Sequence, residues 1–226
     1  MCNRKQFLSG LNKLDLSLSQ QQTDSLLLYC QELQKWSKRI NLIARNTSPN
    51  DIVEKHFLDS LTLLPVIGQY SLDKERDGDE GVSLLDVGTG AGFPGLALAT
   101  VLPELMVTLV EPRQKRVSFL RHIIRSLGLT NVQIIDQRIE PKQAWNGPKC
   151  TFITSRAVAA VDVFLPMIED IASKKTIVIM MGATNEESSF KKKQQTVAGW
   201  QCLEERRFLL PFSSHPRILT LLQKVT

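Results

Sequence analysis

Apolar residues recur along this chain with two different periods, and the change falls near residue 82. Between residues 19 and 40, Leu26, Leu27, Leu33, Trp36 and Ile40 recur at spacings near three, four and seven among Gln, Glu, Lys and Arg. That is the spacing of a helix that buries one face. Asn46-Thr47-Ser48-Pro49 interrupts the pattern. A second helix is predicted from about Asn50 to Ile67, with Ile52, Val53, Phe57, Leu58, Leu61 and Leu64 as its apolar residues. The polar stretch that begins at Gln69 turns acidic, and residues 73–81 read as an exposed linker. Beyond Val82, short apolar runs alternate with amphipathic stretches. SLLDV, MVTLVE, NVQIID, CTFITS and TIVIMM read as strands. FPGLALATVL, RQKRVSFLRHIIRSLG, VDVFLPMIEDIA and NEESSFKKKQQTVAG lie after or between them with helical character. Such alternation predicts a mostly parallel α/β sheet with helices on both faces. Two last strand runs, around WQCLEERRFLL and RILTLLQKV, are separated only by Pro211 to Pro216 and predict an antiparallel C-terminal hairpin at one sheet edge. The expected organisation is a helical extension over 1–72, the linker 73–81, and a Rossmann-like domain over 82–226.

Composition narrows this only a little. The 226 residues are 42% hydrophobic, enough for one substantial core. No apolar run approaches the roughly 18 to 20 residues that span a bilayer, and MCNRKQFLSGLNKLDL has no apolar h-region. Cys2, Cys30, Cys150 and Cys202 match neither CxxC nor a disulfide framework, so reduced thiols in a cytoplasm are expected. The net charge of +5 favours an anionic partner such as nucleic acid without identifying one.

The chemistry is concentrated after the first strand, in Asp86-Val87-Gly88-Thr89-Gly90-Ala91-Gly92-Phe93-Pro94-Gly95. Glycine permits positive φ and lets a ligand approach the backbone without a Cβ in the way. Proline is tolerated in the first turn of the helix that follows. A strand, a glycine turn and a helix start together suit a nucleotide cofactor. Gly90-x-Gly92-x-x-Gly95 fits the dinucleotide fingerprint. Asp86-x-Gly88-x-Gly90-x-Gly92 resembles instead the pattern that class I S-adenosylmethionine methyltransferases carry after their first strand. A pyrophosphate is disfavoured beside an acid, whereas a sulfonium and an α-ammonium are favoured. Glu111 ends the second strand, where an acid accepts from ribose hydroxyls in both cofactor classes. Asp136, Ile139 and Glu140 follow the third strand, and Ser155 and Arg156 end the fourth. The alternatives remain a tight structural turn for the glycines, a buried hydrogen-bonded acid for Asp86 and a solvated charge for Glu111.

Three blocks carry a resemblance to a known family. They are WSKRINLIA (Trp36 to Ala44) with EKHFLDSL (Glu54 to Leu61), LLDVGTGAGFPGLALA (Leu84 to Ala99) with VEPRQKRVSFLR (Val110 to Arg121), and ITSRAVAAV (Ile153 to Val161). The chain resembles the bacterial small-subunit ribosomal RNA methyltransferase G family, formerly called glucose-inhibited division protein B. The resemblance implies N7-methylation of one guanine in 16S ribosomal RNA with S-adenosylmethionine as cofactor. It also implies that Gly88, Phe93, Ile139, Glu140 and Arg156 contact that cofactor, with Asp86, Gly90 and Gly92 shaping the loop. Glu111 fits ribose binding by its position in the wider superfamily. The implied partner is 16S ribosomal RNA or the 30S subunit, met by a chain expected to be a monomer. One departure is Met181-Gly182, where the family often has Lys-Gly, and the acidic segment from Asp73 to Gly81 is longer than usual.

Guanine N7 has a free in-plane lone pair and no proton to lose, so no general base is expected. Alignment of nucleophile, methyl carbon and sulfur would carry the reaction, with Arg156 a candidate for positioning guanine O6 or a phosphate, or else a structural ion pair. Candidate RNA contacts are Lys38 and Arg39, then Arg113, Lys115 and Arg116, then Lys191, Lys192 and Lys193. Arg121, His122 and Arg125 share the helix of Arg113, whose buried stripe is predicted as Val117, Leu120, Ile124 and Leu127. Arg206 and Arg207 form a further basic pair. His56 and Asp59 lie three apart on one helical face. They are too few for a metal site and are expected to form a packing hydrogen bond where helices meet sheet. His215 reads as a turn residue, and Trp36, Trp145 and Trp200 read as packing residues. The competing function is an NAD(P)-dependent oxidoreductase using the glycine loop. It has no obvious catalytic Tyr-x-x-x-Lys pair, since the only two tyrosines, Tyr29 and Tyr70, both precede the loop. A noncatalytic RNA-binding protein is the third reading. Thr154-Ser155-Arg156-Ala157 stands where amino-group methyltransferases carry Asn/Asp-Pro-Pro-aromatic, which disfavours that chemistry.

Overall fold

The computed structural model describes residues 2–76, 81–141, 144–156, 160–183, 196–197 and 199–225. Eight strands form one sheet in the order β3-β2-β1-β4-β5-β8-β7-β6. Strands β1 (Ser83–Val87), β2 (Met106–Val110), β3 (Val132–Ile135), β4 (Phe152–Arg156) and β5 (Ile177–Ala183) are mutually parallel. Strands β7 (Trp200–Leu209) and β8 (Pro216–Lys224) form the expected antiparallel hairpin, and β8 pairs with β5. The stretch 185–199 was expected as a helix. Its described part includes β6 (Thr196–Val197), paired antiparallel to β7, while residues 184–195 lie outside the described residues.

The two sheet faces are covered unequally. Leu84, Val107, Leu109, Phe152, Ile179 and Leu221 face a large core shared with α1 (Arg4–Lys13), α2 (Gln20–Ser37), α6 (Gly95–Val101) and α7 (Gln114–Leu127). Leu85, Val87, Ile153, Val178, Met180 and Leu222 face a smaller core closed by α8 (Val161–Met167) and the loops around Ile139 and Cys150. The strands read as continuous apolar runs because both faces are buried. On α7 the buried residues are Val117, Phe119, Leu120 and Ile123, with Ile124 and Leu127 only packed at the edge. The predicted stripe was thus rotated by about one residue toward Phe119, which meets Tyr29 and Trp36.

The N-terminal region is helical as expected, but its divisions differ. Helix α1 carried no prediction. Helix α2 begins at Ser19, whose side chain forms a reciprocal capping box with Gln22. The predicted helix over 50–67 is two. The first runs from α3 (Pro49–Ile52) through a π-helical segment, Val53–Leu58, into α4 (Asp59–Leu61). The Thr62 hydroxyl donates to the Asp59 carbonyl in its last turn, and Pro65 has no N–H with which to continue the i→i−4 ladder to Leu61. The second, α5 (Leu64–Arg76), extends into the stretch from 73 expected as a linker, and residues 77–80 lie outside the described residues. Cys2 and Cys30 form a disulfide, with Cα atoms 6.2 Å apart, while Cys150 and Cys202 are buried thiols. This corrects the expectation of four reduced thiols and removes the cysteine argument for compartment. A separation of 28 residues carries no local signature, and only the tertiary fold brings these two sulfurs together.

The connection from β1 to α6 explains its glycines. Gly88, Gly90 and Gly92 have φ of 70, 62 and 94°, a region that other residues enter only with strain. A Cβ on Gly92 would lie 2.9 Å from Leu96 Cβ and collide with the Tyr29 hydroxyl, which donates to the Ala91 carbonyl. Asp86 is fully buried beneath the turn. Its Oδ2 accepts from Thr89 Oγ1 at 2.6 Å and from Gly95 N at 2.8 Å. The first free amide of α6 therefore serves the protein and is not offered to a ligand. Burial is the main reason the Asp86 carboxyl is pushed up to about 6 from an ordinary 3.8, against the opposing pull of those two donors.

Two expectations follow from this packing. Glu54 is buried, and its Oε1 accepts from Phe212 N at 2.6 Å and Ser213 N at 2.8 Å, fastening the β7–β8 turn to the π-helical segment. Glu54→Ala should lower the unfolding free energy by about 2 kcal/mol, with Glu54→Gln costing less because an amide oxygen still accepts. Denaturant titration checks it, and an unchanged midpoint for both variants would refute the fastening role. The second concerns pH. The folded state binds the Asp86 proton more tightly than the unfolded chain, so this group's contribution to stability falls as pH rises from about 4 to about 6. Asp86→Asn removes that slope. The variant's stability relative to the parent should rise by up to about 3 kcal/mol across that window, and parallel stability–pH curves would contradict it.

Candidate functional site

A cleft of about 750 Å³ opens at the C-terminal ends of β1, β2 and β4 and beside the segment after β3, the edge where parallel α/β sheets bind ligands. Its floor is the turn Gly88 to Ala91. A Cβ on Gly90 would meet no protein atom closer than Arg116 Nη1 at 3.6 Å. The volume that glycine leaves free belongs to the cleft. Glu111 closes one side, nearly inaccessible to solvent. Its Oε2 accepts from Gly90 N at 3.0 Å and its Oε1 from Arg113 N at 2.9 Å, with Arg116 Nη1 at 3.4 Å from Oε2. These contacts fix the carboxylate and the loop relative to each other. Ile139, buried, and Glu140, exposed, form the wall beyond Glu111.

The opposite end is built by the helical N-terminal region. Phe93 stacks on Tyr29 at 5.4 Å and on His56 at 5.2 Å, and meets Phe57 edge-on at 4.9 Å. The Arg156 guanidinium sits 5.3 Å above the Phe93 ring. Arg156 Nη1 donates to the Lys55 carbonyl at 2.9 Å and lies 3.5 Å from Asp59 Oδ2, while Nη2 lies 3.1 Å from His56 Nδ1. Asp59 Oδ1 also accepts from Arg217 Nε at 3.1 Å. Burial pushes the Asp59 carboxyl up and the Arg156 guanidinium down from their usual ranges, opposed in each case by the ion pair between them. His56 is driven down to about 3, first by burial and then by the neighbouring cations Arg156, Lys55 and Arg217. Its imidazole is therefore neutral at neutral pH.

The structure brings Gly88, Gly90, Phe93, Glu111, Ile139, Glu140 and Arg156 to this one cleft. Asp86 and Gly92 lie behind the loop and hold it, as their packing shows. Among the basic candidates, Arg113 and Arg116 line the cleft, but Arg116 is engaged with Glu111. Lys38, Arg39 and Lys115 are exposed and do not line the cleft, although Leu42 and Ile43, a few residues after Arg39, do. Arg121 faces Asp136 at 3.5 Å in an exposed pair, and His122 pairs with Glu32 at 2.8 Å against Trp36. Arg206 and Arg207 pair with Glu204 and Glu205 on their own strand. Lys191, Lys192 and Lys193 lie outside the described residues. Trp36 and Trp200 pack internally, Trp145 Nε1 donates to the Pro148 carbonyl, and His215 is exposed in the β7–β8 turn.

His56 and Asp59 do share a face and do tie helix to sheet, through Arg156. The sequence did not reveal that His56 is also a wall of the cleft. Tyr29, which braces the glycine turn from α2, was likewise missed. Its position within an ordinary amphipathic repeat gives no signal, whereas His56 stood inside the specific string EKHFLDSL. No described helix is long and apolar enough to cross a membrane.

A family profile described as GidB, rRNA small subunit methyltransferase G, matches residues 22–208. The Ribosomal RNA small subunit methyltransferase G of Desulfotalea psychrophila is 38% identical over 217 residues, covering 95% of each chain. That of Lactobacillus acidophilus is 32% identical over 227 residues, covering 99% of this chain and 91% of the relative. Among solved structures, a putative RNA methyltransferase from Pyrococcus horikoshii superposes with a TM-score of 0.54 at 15% identity, covering 87% of this chain and 97% of that one. A mutant of MtNAS in complex with S-adenosylmethionine gives a TM-score of 0.51 at 17% identity, covering 91% and 77%. Likeness at such identities concerns the fold, that of Rossmann-like methyltransferases. The nicotinamide oxidoreductase reading finds no support among these matches. With such identity carried over nearly the whole of both chains, and one profile spanning helical region and sheet alike, the chain belongs to the rRNA small subunit methyltransferase G family.

Proposed function

We propose that this chain methylates N7 of a guanine in 16S ribosomal RNA, using S-adenosylmethionine bound in the cleft at the strand ends. The observation that carries the reading is the pairing of Glu111 with the glycine turn. Its buried carboxylate, bonded to Gly90 N, stands beside a floor that only glycine leaves open. That combination suits a ribose diol on the carboxylate and a flat nucleoside against the loop. Adenine would lie toward Ile139 and Glu140, with Gly88 beneath the middle of the cofactor. The amino-acid end would lie toward Phe93 and Arg156. Such an order follows the cleft from the end of β3 to the end of β4.

When bound, S-adenosylmethionine supplies an electrophilic methyl carbon on a sulfonium. Everything else is positioning and exclusion of water by the chain's own residues. The purine becomes cationic as N7 is alkylated. An uncompensated cation 5 Å away would oppose this by about 3 kcal/mol at an effective dielectric near 20. The cleft lowers that cost: Asp59 lies against Arg156, Glu111 lies against Arg116, and His56 is neutral. Exposed Lys38, Arg39 and Lys115, with Arg113 of the cleft lining, are candidate phosphate contacts, which would set the register of the RNA and leave base choice to the cleft. The acceptor is naked 16S RNA or the 30S subunit, which would place the chain in the cytoplasm, working as a monomer.

Transfer of label from radioactive S-adenosylmethionine to 16S RNA or 30S subunits lacking the modification should yield 7-methylguanosine on nucleoside analysis. Label in any other nucleoside would overturn the proposed position. Glu111→Ala should weaken binding of S-adenosylhomocysteine by about 10- to 100-fold in calorimetry, the loss expected for a buried charged acceptor. An affinity unchanged within about twofold would remove Glu111 from the cofactor site.

A further inference from the structure

His56 is a polar side chain of the cleft wall that neither the proposed cofactor contacts nor the phosphate contacts use. It sits on the π-helical segment, and such widened turns are frequent at functional sites. Arginine can only donate, so the 3.1 Å contact from Arg156 Nη2 makes His56 Nδ1 an acceptor and leaves the ring proton on Nε2. The ring plane is fixed on the other side by stacking against Phe93. Nε2 takes no partner among the described residues. The result is a neutral, oriented N–H donor on the cleft wall, next to the end of the glycine turn.

We propose that His56 is a specificity-determining residue whose Nε2–H donates to O6 of the target guanine. This rests on the reading of the chain as a guanine-N7 methyltransferase. At the position of O6, adenine presents an amino group, itself a donor, which would leave two donors facing each other. A neutral donor reads O6 without adding charge beside a base that is becoming cationic. Arg156 is the other basic group there, but its three polar contacts to residues 55–59 turn it toward the protein. Its part is to fix the imidazole's tautomer and orientation.

The test is a two-by-two comparison of the enzyme with RNA carrying either guanine or 2-aminopurine, which lacks O6, at the target position. The parent protein should methylate guanine and lose about 10-fold or more in kcat/KM on 2-aminopurine, as for loss of one buried hydrogen bond to a base edge. His56→Asn keeps an acceptor where Nδ1 stood and removes the Nε2 donor. It should be slower on guanine and show no further loss, within about twofold, on 2-aminopurine. His56→Gln, which restores an N–H near Nε2, should recover part of the discrimination. S-adenosylhomocysteine affinity should stay within about threefold of the parent in both variants. An equal 2-aminopurine penalty in parent and variants would overturn the proposal, as would a large loss of cofactor affinity. Failure of the parent protein to form 7-methylguanosine at all would overturn the underlying reading, and it is visible before any variant is compared.

Discussion

Asp59 is the point on which the site depends. Its buried carboxylate lies between Arg156 at the end of β4 and Arg217 on β8, and it is carried by the helical segment outside the sheet. Removing Asp59 would leave the Arg156 guanidinium without its counter-ion, a loss of the order of 3 to 5 kcal/mol. The network also includes the Lys55 carbonyl and His56 Nδ1, so a single guanidinium joins backbone, acid and imidazole of one helical segment to the central strand. The N-terminal helices are therefore a wall of the cleft, fastened to the sheet by charge as well as by apolar packing.

The same logic of fastening recurs at the glycine turn. Asp86 accepts from Thr89 and Gly95 below the turn, Glu111 accepts from Gly90 at its side, and Tyr29 donates to the Ala91 carbonyl from behind. With three glycines at positive φ, the turn would otherwise have large conformational freedom. Tying it down makes the cleft floor rigid before any ligand arrives, so less ordering has to accompany binding.

The electrostatics of the cleft suit a reaction that creates a cation. The Glu111 carboxyl group lies near the expected ribose. Arg156 shares Asp59 with Arg217, and His56 is held neutral by burial and by surrounding cations. Among the described residues, Lys38, Arg39 and Lys115 are exposed and stand in no ion pair, the kind of charge that meets a phosphate backbone.

What the sequence determined by itself is what depends on short-range pattern. The five parallel strands, the C-terminal hairpin, helix α2 and the glycine turn each follow from apolar periodicity or from residues whose backbone preferences are local. Gly88, Phe93, Glu111, Ile139, Glu140 and Arg156 were legible because strand ends in such a sheet face a common edge, and three sequence blocks carried the family resemblance. Other features were decided only by the tertiary structure. The rotation of the α7 stripe toward Phe119 and the Cys2–Cys30 bond depend on neighbours far away in sequence. His56 became a cleft wall, and Arg156 became the clamp that orients it, because the segment around residue 56 packs against the end of β4, 100 residues later. Periodicity reports which face of a helix is buried, but it is silent about what that face meets, and the chemistry of this cleft is set by that meeting.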